Sequence, residues 1–212
     1  MFFGQAEQDK FVLTMLKNKT NGYYLELGSQ NPIVNNNTFI LENKYGWKGI
    51  MIEYDNGWLN EYKIHRPNSI HVISDAQVID YRSLLTNSPI NMDYLQIDLD
   101  VDNDSTLNTL LKLDEEILND YKFATITFEH DIYASDNEND IWAITRKRSR
   151  EIFTKRGYVL VFPDVRLPSN TSYRGKQCGA FEDWYVHPDL VDMELINKYK
   201  TDTSLFFRDI PY

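Results

Sequence analysis

The run Tyr23-Tyr24-Leu25-Glu26-Leu27-Gly28 and, further on, Gly49-Ile50-Met51-Ile52-Glu53 decide the fold. Each is a short aromatic or aliphatic stretch without clean polar alternation, the pattern of a strand covered on both faces. Gly28 ends the first at a tight turn, and an acid ends the second. Between them, Thr38 to Tyr45 forms a helical pattern that would bury Phe39, Ile40 and Leu41, and Gly46 supplies its stop. Strand, helix and strand in this order predict a parallel pair joined by a crossover.

Outward from this unit the alternation continues. Phe11, Val12, Met15 and Leu16 recur at helical spacing from Asp9 to Lys19, ahead of the stop at Asn21-Gly22. Trp58 to Lys63 reads as a helix before Pro67. Ser69 to Ile73, Tyr94 to Asp98 and Ala124 to Glu129 read as the third, fourth and fifth strands. Leu107, Leu110, Leu111, Leu113, Ile117 and Leu118 form a broad apolar helical face between the last two. Arg146 to Lys155 is a further helix, basic outside and stopped by Gly157. Tyr158 to Phe162 and Trp184 to Val186 are strands with no long helix between them, which predicts antiparallel pairing at one edge. The expected fold class is α/β, a mostly parallel sheet with helices on both faces and an antiparallel edge strand. It is expected to be one domain over residues 1–212, with residues 1–20 a leading helical segment.

Composition limits the function classes. The chain has 212 residues, 42% of them hydrophobic, enough to build one core. Its formal net charge of −10 repels phosphate backbones and anionic membrane surfaces, so neither nucleic acid nor membrane is an expected partner. A lone cysteine, Cys178, allows no internal disulfide, and the start has no basic region leading into an apolar run, so a cytoplasmic location is expected. No stretch approaches 18 apolar residues in a row.

In an open α/β sheet, ligands bind beyond the carboxyl ends of the strands. Those ends are acidic here: Glu26, Glu53, Asp75 shortly after the third strand, Asp98 with Asp100, and Glu129 with Asp131. Glu53 follows Gly28 by about 25 residues, close to the spacing at which an acid accepts hydrogen bonds from a ribose diol. Gly28 is followed by Ser29-Gln30-Asn31, so there is no glycine-rich phosphate cradle, and no Gly-Lys-Ser/Thr for a nucleoside triphosphate. An acidic, ribose-gripping pocket without a phosphate site fits a positively charged nucleoside cofactor such as S-adenosylmethionine.

Four segments resemble the FkbM-like family of S-adenosylmethionine-dependent methyltransferases. They are Gly4-Gln5 with Gln8-Asp9; Gly22 to Gly28; Asn37 to Glu42 through Gly46-Trp47-Lys48-Gly49 to Ile52-Glu53; and Tyr94 to Asp98. Glu182-Asp183-Trp184 and the stretch Arg150 to Tyr158 are similar too. The resemblance implies a Rossmann-like methyltransferase fold and O-methylation of a carbohydrate or other hydroxyl-bearing small molecule. It places Glu26, Gly28 and Ser29 at the methionine side of the cofactor, Glu53 at the ribose, Asp75 and Ala76 at the adenine, and Asp98 near the transferable methyl. The chain departs from the family at Gln30-Asn31-Pro32, where a second glycine is usual, and at Asp98-Leu99-Asp100-Val101, where Asp-x-Glu-Gly is common. These departures leave a non-catalytic, methyltransferase-like binding protein as the alternative.

Several residues carry two readings. His130 is either the base that takes an acceptor proton, with Asp98 and Glu129 orienting the hydroxyl, or a histidine hydrogen-bonded to a neighbouring acid. Asp98 and Asp100 either hold a divalent metal such as Mg²⁺, with Asp131 or Glu129, or form with Asp102 and Asp104 the solvated start of a helix capped by Asp104 or Ser105. Glu26 either contacts the cofactor or braces loop amides. Trp142, Tyr133, Trp184 and Tyr185 either stack on a sugar or belong to the core, and the run Arg146 to Arg150 reads as a solvated face. Cys178 has no evident catalytic partner; its loop, Ser169 to Ala180 with Gly175 and Gly179, reads as a mobile lid. The oligomeric state is not legible.

Overall fold

A computed structural model describes residues 1–168, 172–173 and 176–212. In chain order the main elements are α1 (Gln8–Met15), β1 (Tyr23–Leu27), α2 (Phe39–Tyr45), β2 (Lys48–Glu53), α3 (Leu59–His65), β3 (Ile70–Ile73), α4 (Tyr81–Leu84), β4 (Asn91–Ile97), α5 (Ser105–Glu116), β5 (Lys122–Glu129), α6 (Ile141–Lys155), β6 (Val159–Arg166), β7 (Ser172–Tyr173), β8 (Lys176–Gln177), β9 (Ala180–Val186) and α7 (Met193–Tyr199). Seven strands form one sheet in the order β3-β2-β1-β4-β5-β9-β6, and β7 and β8 pair separately.

β3, β2, β1, β4 and β5 run parallel, while β9 lies antiparallel to both β5 and β6. The uninterrupted apolar runs become strands buried on both faces, with separate cores on the two sides. One holds Phe11, Tyr24, Trp47, Tyr94 and Trp184; the other holds Leu25, Ile50, Leu95, Leu113, Ile126 and Phe153. The expected edge pairing is present. β9, last in sequence, sits inside the sheet between β5 and β6, so the Tyr158 strand and not the Trp184 strand takes the rim. The stop at Gly46 matches, with φ 71° at the end of α2, whereas α6 starts at Ile141, five residues before the expected Arg146, where Asp140 accepts from the Ala143 N–H. α5 differs. Asp104 takes the cap position without a side-chain cap bond, and Asn103 Oδ1 instead accepts from the Ser105 N–H at 3.0 Å. No helix among the described residues is long and apolar enough to cross a membrane.

Gly28 fixes where the sheet opens. Its φ is 83°, and a Cβ there would lie 1.8 Å from the Asp98 carbonyl oxygen, backbone against backbone. Only glycine lets the turn after β1 approach the end of β4 so closely.

Candidate active site

The carboxyl ends of β1, β2, β4 and β5 border a cleft of about 630 Å³. Glu26, Gly28, Ser29, Glu53, Asp98, Asp100, Glu129 and Asp131 all line it, together with Asn36, Asn37, Gln96, Tyr133, Trp142 and Cys178. Asp75 and Ala76 line a second hollow of about 420 Å³ that shares Tyr54, Leu99 and Asp100 with the first. The sequence-derived cofactor residues thus border two connected spaces along one edge of the sheet.

On the β1 side, Glu26 is buried and accepts from Thr38 Oγ1 at 3.0 Å and Asn36 Nδ2 at 3.4 Å. Burial pushes its carboxyl up to about 7, against the pull of nearby Arg66. Arg66 is itself fully buried. It donates to Glu42 Oε2 at 2.9 Å, Asn36 Oδ1 at 2.7 Å, the Tyr24 hydroxyl at 2.7 Å and Thr38 Oγ1 at 2.5 Å. This network braces the Gln30-Asn31-Pro32 turn from below, in place of the absent second glycine. Glu53 holds the same turn from the side, accepting from the Gln30 N–H at 2.7 Å and the Asp55 N–H at 2.9 Å. Sequence reading missed Arg66, a cation set between a helix and Pro67.

Across β4, β5 and β9 a second acidic row runs from the cleft-lining Asp98 and Glu129 to the fully buried Glu182. Asp98 and Glu129 lie side by side with Gln96 next to Asp98, and burial raises both carboxyls, Glu129 well above its ordinary value. Two carboxyls so placed hold a proton between them. Glu182, opposite Glu129 in the ladder, receives Gln8 Nε2 at 3.1 Å and Trp184 Nε1 at 2.6 Å, and burial pushes it up to about 8. Its place in this row follows from strand register, which the sequence alone does not specify.

His130 is displaced from its expected role. Successive strand residues face opposite sides, so with Glu129 turned into the cleft His130 turns away from it, fully buried. Its Nε2 lies 3.5 Å from Asp183 Oδ1 and 3.6 Å from Asp164 Oδ1. Arg146 forks onto Asp164 at 2.7 and 2.5 Å, and Arg150 onto Asp183 at 2.6 and 2.8 Å. Burial opposes ionisation of Asp183, yet His130 and Arg150 hold it well below the ordinary carboxylate range. Arg146 and Arg150 are therefore half of an ion-pair nest and not a solvated face.

The expected metal set is not assembled. Asp98, Asp100 and Asp131 border one cleft without converging. Among the described residues the one group of three potential ligands with atoms within 4.8 Å of each other is His130, Asp164 and Asp183, whose carboxylates are occupied by two guanidiniums. Tyr133 and Trp142 line the cleft, whereas Trp184 and Tyr185 are core. The lid expectation falls partly on residues outside the described ones; of the remainder, Ser172 and Cys178 line the cleft, and β7 and β8 form a two-stranded ladder.

No protein-family profile matches the chain, and no curated protein matches it. Solved structures do. A precorrin-6y C5,15-methyltransferase from Geobacter metallireducens matches with TM-score 0.54 at 13% identity, over 84% of this chain and 86% of that one. The 1,6-didemethyltoxoflavin-N1-methyltransferase of Burkholderia thailandensis, solved with S-adenosylhomocysteine, matches with TM-score 0.52 at 11% identity, over 86% and 77%. The N-terminal domain of EvdMO1, solved in the presence of S-adenosylhomocysteine and D-fucose, matches with TM-score 0.51 at 13% identity, over 86% and 82%. The fold is the Rossmann-like methyltransferase fold. At these identities the likeness is one of architecture.

Proposed function

We propose that the chain is an S-adenosylmethionine-dependent methyltransferase of the FkbM-like kind, acting on an oxygen of a carbohydrate or other hydroxyl-bearing small molecule. The observation that carries the reading is the cleft itself: strand-end acids, a ribose-side carboxylate at Glu53 and no phosphate cradle, on a methyltransferase fold. The oxygen acceptor rests on the sequence resemblance, and the sugar ligand of a structural neighbour agrees with it.

S-adenosylmethionine, when bound, supplies a sulfonium methyl already activated for attack. Glu53 accepts from the ribose hydroxyls with lone pairs left over from the Gln30 and Asp55 amides. Asp75 and the Ala76 backbone border the adenine, and Glu26 and Ser29 the methionine end. The Asp98–Glu129 pair, in the place first given to His130, would hold the acceptor hydroxyl and take its proton.

Isothermal calorimetry with S-adenosylhomocysteine tests the cofactor half. Micromolar or tighter binding is expected, weakened by about 1.5 to 3 kcal/mol in Glu53→Ala. Absence of binding in the native protein refutes the reading, and unchanged affinity in the variant removes Glu53 from the ribose.

A further inference from the structure

The charge of the cleft bears on its acceptor, an inference that rests on the methyltransferase reading. Among the described residues lining the cleft, seven are Asp or Glu and none is Lys, Arg or His. The nearest cations are already engaged. Arg66, near Glu26, is paired with Glu42 at 2.9 Å, Arg146 and Arg150 are bound to Asp164 and Asp183, and Lys176, over the Trp142 ring, is paired with Asp136 at 2.8 Å. A cofactor of net charge near +1 balances only part of this acid, and an anionic acceptor would add to the repulsion.

A second observation is independent of the acids. Gln96 and Asn37 are each 2% exposed, both line the cleft, and Gln96 Oε1 and Asn37 Oδ1 have no hydrogen-bond partner. Buried acceptors left unpaired are costly, so both call for donors from a ligand. Gln96 stands in ladder register with Glu26 on β1 and, through Asp98, beside Glu129. At the β5 end, Glu129 and Asp131 share the cleft wall with the Tyr133 and Trp142 rings. Carboxylates beside aromatic rings are the surroundings that hold an ammonium group.

We propose that the methyl acceptor is a cation, a hydroxyl-bearing molecule carrying a protonated amine, such as an amino sugar, seated by the Asp131 carboxyl and the Tyr133 ring. Gln96 Oε1 accepts from its amine or a neighbouring hydroxyl. The amine places the ring, and the Asp98–Glu129 pair serves the hydroxyl that is methylated.

Three sugars with one ring and one changed group test this: glucosamine, glucose and glucuronate, titrated into the S-adenosylhomocysteine-loaded protein and followed by ligand-observed NMR. Glucosamine is expected to bind about tenfold tighter than glucose and glucuronate least, with the gap shrinking as salt is added. Asp131→Asn should narrow the gap while S-adenosylhomocysteine affinity stays unchanged. Equal binding of the three, no detectable binding of any, or preference for glucuronate overturns the proposal. If S-adenosylhomocysteine itself does not bind, the methyltransferase reading fails separately, and the order of the sugars with the unloaded protein still decides whether the cleft selects amines.

Discussion

Two acidic clusters lie back to back across β5 and β9, and they are built on opposite rules. On the cleft side Asp98, Glu129 and Glu182 face one another with hydrogen-bond donors but no cation, and all three carboxyls are raised. Behind them Asp164 and Asp183 face Arg146, Arg150 and His130, and both are lowered. Burial is common to both sites; the difference is the partner. The rear cluster is balanced by its own guanidiniums, whereas the front one is poised for a positive ligand. Charge balance thus separates architecture from chemistry on two faces of the same strands.

The contrast can be broken most severely from behind. Arg150→Met strips Asp183 of its guanidinium fork and leaves a buried carboxylate held only by His130, the Asp164 N–H and the Tyr185 hydroxyl; a loss of about 3 to 5 kcal/mol in stability is expected by denaturant unfolding. His130→Ala should act in the same sense and more weakly, with turnover per folded molecule retained. A loss of turnover at intact stability would return His130 to the chemistry.

In front, the expected effect falls on rate. Glu129→Gln should lower methyl transfer to the true acceptor about a hundredfold or more while S-adenosylhomocysteine affinity holds, and the fold should not weaken. Full activity in Glu129→Gln and Asp98→Asn alike would move the site to other strand ends.

A smaller effect sharpens the contrast through pH. Glu26 at about 7 and Glu182 at about 8, both above an ordinary 4.5, keep protons in the folded state that the unfolded chain has released. Their contribution is fully present below 4.5, declines as pH rises, and levels off beyond about 8. Melting temperature of the ligand-free protein should therefore fall between about pH 6 and pH 8, and Glu182→Gln should flatten the upper part of that slope. Asp183 and Asp164 work in the other direction, losing stability only as pH falls below the ordinary Asp range. The least effect is expected from Arg148→Ala, whose partner Glu151 is as exposed as itself; a change within about 0.5 kcal/mol marks the solvated limit.

The alternation of strands and helices was legible because apolar runs, glycine stops and one broad leucine face are local signals. Glu53, Asp98 and Glu129 were legible as strand-end acids for the same reason. What escaped depends on partners far apart in sequence. His130 seemed to belong with Glu129 because the two are adjacent, yet adjacency on a strand sends side chains apart. The basic run seemed solvated because its acids, Asp164 and Asp183, come later on strands whose register no local pattern reveals. Arg66 and Glu182 are buried ionisable groups, and composition gives no sign of which ones a fold will bury.

The placement of β9 between β5 and β6 has a consequence for the order of events at synthesis. β6 joins the main sheet only through β9, and β9 also delivers Glu182 to the acid row and Asp183 to the nest behind it. A nascent chain emerging from its first residue leaves β5 with an open edge and β6 without its neighbour until Ala180 to Val186 has followed them out. The parallel half can form early, whereas the row of acids closes only once β9 is free, and pairing over such separations is slow. The interval between the two exposes an unpaired strand edge, and growth temperature and chaperone supply should govern the soluble yield through that interval.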